Sequence, residues 1–196
     1  MSETHTKEPV LVEGTAVQPV SVDELRNQLR MTSTEEDATL NGYLSAAVAK
    51  LQSRLGRKFI TQTYDVYYTG FSNPMVLPFA PLGPAGVISV KYLDSNQVLQ
   101  TCDASIWEVG EKHGRPTVRL KYNQSWPSTL GHADDVVIRA SFGYGSTGAS
   151  VPAPIKQAIV LLAAWMNEYR EPGDIDWSII DCLTIDYRFN SVAGSA

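Results

Sequence analysis

At Gly56 the chain changes period. Before it, Leu40, Tyr43, Leu44, Ala47, Val48, Leu51 and Leu55 recur at the three-and-four spacing of one helical face. After it, Ile60, Tyr64, Val66 and Tyr68 fall on one side of a strand and Thr61, Thr63 and Asp65 on the other, with Gln62 interrupting the apolar side. Gly56 supplies the left-handed residue that stops a helix, so helix passes into half-buried strand with no linker. A chain joined this way is neither all-helical nor all-β. The expected class is α+β.

The rest of the chain sorts around that joint. Ser21 with Glu24 three residues on forms a capping box for a short helix whose apolar side is Val22, Leu25 and Leu29. In STEEDATL, Ser33 or Thr34 reads as the cap of the longer helix, with Glu35, Glu36 and Asp37 loading its first turn. Strand-like runs follow at 75–78, 87–93, 98–101, 106–109, 117–122 and 135–142, separated by Asp-Ser-Asn, Gly-rich and Pro-rich turns. Helix returns in VPAPIKQAIVLLAAWMNEYR, where Pro152 or Pro154 suits a first turn and Ile155, Ala158, Ile159, Leu162, Trp165 or Met166, and Tyr169 form the stripe. The implied organisation is a flexible N-terminal arm at 1–19, helical segments at 20–58 and 150–171, a small antiparallel β-domain at 59–149 inserted between them, and a C-terminal arm at 172–196.

Composition narrows the function. With 43% hydrophobic and 19% charged residues in 196, an ordinary globular core is expected. No run approaches the roughly 18 apolar residues that span a bilayer, so no membrane role is expected. MSETHTKEPVLVEG lacks a basic-then-apolar export pattern, which predicts an intracellular origin. Cys102 and Cys182 have no CxxC or Cys/His company and read as free thiols. A net charge of −5 disfavours a nucleic-acid clamp but suits a conduit along which a duplex slides.

Chemistry-bearing motifs are weak. GYGSTG, Gly143 to Gly148, matches GxGxxG, yet Ala149 to Pro154 separate it from the helix and two prolines remove amides that could hold a phosphate. It reads as a mobile glycine loop. His132, Asp134 and Asp135 form a polar turn rather than a metal set. His5, His113 and His132 lie in an arm and two turns, and no GxSxG elbow is present. No catalytic residue, cofactor or metal ligand is assigned, and the chain is not expected to be an enzyme.

Two surfaces ask for partners. On the last long helix the face opposite the stripe is apolar in its middle, at Val160, Leu161 and Ala164, which are buried either within the monomer or by a neighbouring subunit. After the Glu-Pro-Gly-Asp break come Trp177, Ile180, Leu183, Ile185, Tyr187 and Phe189, too apolar for a solvated tail. They are expected to dock on another chain, with alternating Leu183, Ile185, Tyr187 and Phe189 added to a sheet edge.

The ordered set VSVDELRNQLRM, LGRKFITQTYDVYY, LPFAPLGPAGVISVKYLD, SWPST, FGYG and VPAPIKQAIVLLAAWMNEYRE resembles the head–tail connector (adaptor) proteins of tailed bacteriophages and gene-transfer agents. The resemblance implies a helical core of the two N-terminal helices and the helix after FGYG, interrupted by the β-domain. It also implies a homo-oligomeric ring, commonly of twelve subunits, below the portal protein, extending the DNA channel and meeting a head–tail stopper or tail terminator. DNA would be passing cargo, and the site would be the virion head–tail junction after synthesis in a bacterial cytoplasm. The alternatives are a tail-tube or minor tail ring protein, and a small nucleotide-binding enzyme built on GYGSTG.

Overall fold

The computed structural model describes residues 6–169 and 177–189. In chain order these form β1 (Val10–Glu13), α1 (Val22–Leu29), α2 (Asp37–Leu55), β2 (Gln62–Tyr68), β3 (Met75–Val76), β4 (Leu82–Leu93), β5 (Leu99–Thr101), β6 (Trp107–Lys112), β7 (Arg115–Leu120), β8 (Val136–Phe142), α3 (Ala153–Glu168) and α4 (Trp177–Thr184). The fold is α+β, with two separate apolar clusters.

The first cluster belongs to the helices. Leu25 of α1, Leu40, Leu44, Ala47, Leu51 and Leu55 of α2, and Ile155, Ala158, Ile159, Leu162 and Ala163 of α3 are all buried together. Full burial of each Leu or Ile contributes about 1.5–3 kcal/mol before entropy is counted. The Ser21 capping box forms as the sequence predicts, and the Glu24 carboxylate that completes it also meets Lys156 at 2.7 Å, tying α1 to α3. Lys156 and the Ser21 backbone together hold the Glu24 carboxyl below its usual range. The second helix starts later than its sequence suggests. Ser33 accepts from the Glu35 amide and Thr34 from the Asp37 amide, so STEE is a turn and α2 begins at Asp37 without a side-chain cap. The turn is needed because Met31 packs on the helical cluster and Arg26 lies 3.0 Å from Asp37 across the corner.

The second cluster lies between two antiparallel sheets, one of five strands in the order β1-β2-β8-β4-β5 and one of three in the order β3-β7-β6. Tyr64, Val66 and Tyr68 of β2 enter it beside Ile138, Ala140 and Phe142 of β8, and Met75 and Val118 come from the smaller sheet. Gln62, which breaks the alternation, accepts a hydrogen bond from the Tyr64 hydroxyl at 2.8 Å. On the opposite face Asp65 receives a two-pronged contact from Arg139, both bonds at 2.7 Å, which accounts for a buried carboxylate in the middle of a strand.

Both terminal segments differ from the sequence expectation. Part of the N-terminal arm is strand: β1 pairs with β2 from Val10↔Asp65 to Glu13↔Thr63. Its residues are exposed on both faces, so no period betrays it. The C-terminal segment, expected to be extended and docked elsewhere, is α4 followed by a 3₁₀ turn at Ile185–Tyr187. It packs on the helical cluster of its own chain. Residues 1–5, 170–176 and 190–196, including the Glu-Pro-Gly-Asp break, lie outside the described residues.

Candidate assembly surfaces

Three stretches far apart in sequence are stitched together where α2 ends. Gly56 holds φ 63°, the left-handed conformation predicted for it. Just beyond, the Lys58 amide donates to the Ala80 carbonyl at 3.0 Å, and the Ala80 amide donates to the Gly56 carbonyl at 3.3 Å. The Gly143 amide donates to Pro81, the Tyr144 amide to Phe59, and the Thr61 amide to Gly145, all between 2.9 and 3.1 Å. LGRKFITQT, LPFAPLG and FGYG are therefore one structural unit. Phe59 and Ile60 point into the helical cluster and Tyr64 into the sheet cluster, so the joint rigidly couples the two. At Gly143, φ is 133° and a Cβ would lie 2.6 Å from the Ile60 carbonyl carbon and the Thr61 nitrogen, leaving room for no side chain.

The GYGSTG loop is held by the surrounding chain. The amides of Gly143, Tyr144, Ser150 and Val151 are bonded within the protein, and Gly148 abuts the Pro19 carbonyl, so the loop is packed where the sequence suggests mobility. The His132 cluster also dissolves into local contacts: Asp135 accepts from the His132 amide at 2.8 Å, and Asp134 meets Lys7 and Thr6. A groove of about 640 Å³ between the α2 end and the β6–β7 hairpin is lined by Arg57, Glu111, His113, Asp186 and Arg188.

The three residues assigned to the subunit face of α3 do not share one environment. Val160 is buried, 8% exposed, in the helical cluster beside α1, so its own chain already covers it. Leu161 and Ala164 are half-buried and keep an outward surface. The predicted stripe runs out at its C-terminal end, where Tyr169 is exposed and stacks on Trp165 at 5.3 Å.

The docking residues split in the same way. Ile180 is buried, and Trp177, Leu183 and Tyr187 pack on the helical cluster. Phe189 covers Gly56, and Ile185 points outward at 63% exposure with Ile179 at 61%. The segment is clasped by charge. Arg54 grips Asp181 with contacts of 3.1 and 2.9 Å, and its guanidinium lies 4.3 Å from the Trp177 ring centre. Arg188 joins the same carboxylate, and Arg57 donates to the Tyr187 carbonyl. Arg54 first, then Arg188, holds the Asp181 carboxyl below its usual range. The alternation of Leu183, Ile185, Tyr187 and Phe189 that suggests a strand coexists with a helical period through Trp177, Ile180, Leu183 or Thr184, and Tyr187. A run this short carries both.

A helical bundle is thus joined to two antiparallel sheets, and apolar side chains are exposed at the sheet edges and on the C-terminal segment. Residues 19–82, from just before α1 to the start of β4, match the model of the phage gp6-like head-tail connector protein family. Comparison with curated proteins gives no match. Among solved structures, a chain in the neck of an empty GTA particle computed with C6 symmetry is 27% identical, with a TM-score of 0.76 over 95% of this chain and 98% of that one. A chain in the virion of a native gene transfer agent particle is 28% identical, with a TM-score of 0.75 over 94% of this chain and 98% of that one. A third, in the neck of a native GTA particle computed with C12 symmetry, is 27% identical, with a TM-score of 0.72 over 95% and 98%.

Proposed function

We propose that this protein is a structural component of a virion head–tail junction, where copies form a ring below the portal, extend the DNA channel and join head to tail. The carrying observation is the end-to-end match to chains of particle necks, which extends the family match beyond residues 19–82. Ring assembly is supported by the C6 and C12 symmetry of those necks. In this reading the portal lies on one side and a head–tail stopper or tail terminator on the other, and the net charge of −5 lets the duplex pass without being held. Leu161 and Ala164 meet a neighbouring subunit. The outward side of the C-terminal segment, Ile179 and Ile185, meets the next component.

The test is electron microscopy of particles made with and without the chain. A ring between portal and tail in the first, with tailless or leaking heads in the second, is the expected result. A ring found within the tail tube instead would favour a tail protein and overturn the proposal.

A further inference from the structure

The five-stranded sheet has two open edges, and both expose apolar side chains. At one edge β1 shows Val10, Leu11 and Val12 at 44%, 51% and 44% exposure; at the other, β5 and the residue before it show Leu99 at 55% and Val98 at 51%. Among the described residues each edge strand is paired on one side only. Natural proteins often guard such edges with short strands, charge, proline or a covering element, because an exposed apolar edge recruits another chain; β1 has Glu8 and Pro9 before it and Glu13 at its end, whereas Val98–Thr101 carries no charge or proline. Here the two edges are of similar length, four and three residues.

We propose that β5 of one copy pairs with β1 of the next, making the five-stranded sheets continuous from subunit to subunit. The inference rests on the ring reading above and names the surface that closes the ring. A cyclic ring needs a heterologous interface, formed by two different patches of the same chain, and opposite edges of one sheet supply such a pair. Direction follows from the strand count. Every pairing in the sheet is antiparallel, so with five strands β1 and β5 run the same way. One ring step, about 30° for twelve subunits, cannot reverse a strand, and so the junction is a parallel ladder in an otherwise antiparallel sheet. The occupant is a second copy of this chain.

The experiment places Leu11→Cys and Leu99→Cys together in a Cys102→Ala, Cys182→Ser background, treats whole particles with a short bis-maleimide and separates the denatured chains by mass. A ladder climbing toward the ring number is expected, while each single-cysteine chain stays monomeric. Monomers from the double-cysteine chain in particles whose necks still show the ring would overturn this pairing and leave the ring reading standing. Absence of any ring in wild-type particles would sink both. Dimers from Leu11→Cys alone would mean that β1 pairs with itself, which also overturns the proposal. As a second measurement, Leu11→Lys and Leu99→Lys chains, each melting within about 2 °C of wild type because both sites are exposed, should each fail to form necks. Normal necks from both would reject the idea.

Discussion

The two terminal segments both fold back on the molecule, yet they attach by different physics. β1 is held by backbone pairing to β2, by Lys7 over the Tyr67 ring at 3.5 Å and by the Lys7–Asp134 pair at 3.0 Å, while its own apolar side chains stay in solvent. The segment 177–189 is held by side chains: Ile180 and Thr184 are buried, Trp177, Leu183 and Tyr187 pack on the helical cluster, and Arg54 and Arg188 grip Asp181. A ladder orders a strand without hiding its side chains, and an amphipathic helix must hide them to exist. The N-terminal segment is thus left able to recruit a neighbour, and the C-terminal one is integrated into the core that its composition seemed to make it leave.

The sharpest way to break this contrast is truncation. Removing residues 177–196 should lower the melting temperature by roughly 10 °C or more, since burial equivalent to several kcal/mol is lost and each kcal/mol is worth about 2–4 °C in a chain of this size. An unchanged melt would show that the segment rests on the core without stabilising it.

Gly56→Ala comes next. The left-handed backbone disfavours any Cβ by about 1–2 kcal/mol, and here the added carbon would lie 2.4 Å from the Phe189 ring, so the C-terminal segment must shift as well. The expected loss is about 2 kcal/mol or more in denaturant unfolding. It should shrink toward the backbone cost alone in a chain that also carries Phe189→Ala.

Asp181→Asn probes the clasp through pH. Because the folded carboxyl sits below its ordinary value, its contribution is present above the unfolded pKa and is lost as pH falls through the folded one. At neutral pH the variant should melt below wild type. That gap should close in acid, below the usual carboxylate range. A gap independent of pH would assign the effect to packing around the side chain.

The smallest effect belongs to β1. Leu11→Ser, at an exposed strand position, should change stability by no more than about 0.5 kcal/mol in the isolated chain. A larger loss would mean that β1 buries more than its backbone, and the contrast between the two ends would weaken.

What could be read in advance was whatever short-range chemistry dictates. The Ser21 capping box, the left-handed Gly56, the apolar faces of α1 and α2, the N-terminal part of the α3 stripe, and β2 through β8 all depend on residues a few positions apart, so their patterns survive in one dimension. Three features depended on contacts that no local pattern carries. Val160 is interior because it joins the helical cluster, which includes Leu25 of α1, more than a hundred residues earlier. The register of β1 is set by β2 across a separation of about fifty residues, with no alternation of its own. The conformation of 177–189, whose sequence allows strand and helix alike, was decided by the helical cluster on which Ile180 packs and by the arginines at the end of α2. Burial against a preformed surface outweighs the small intrinsic difference between the two.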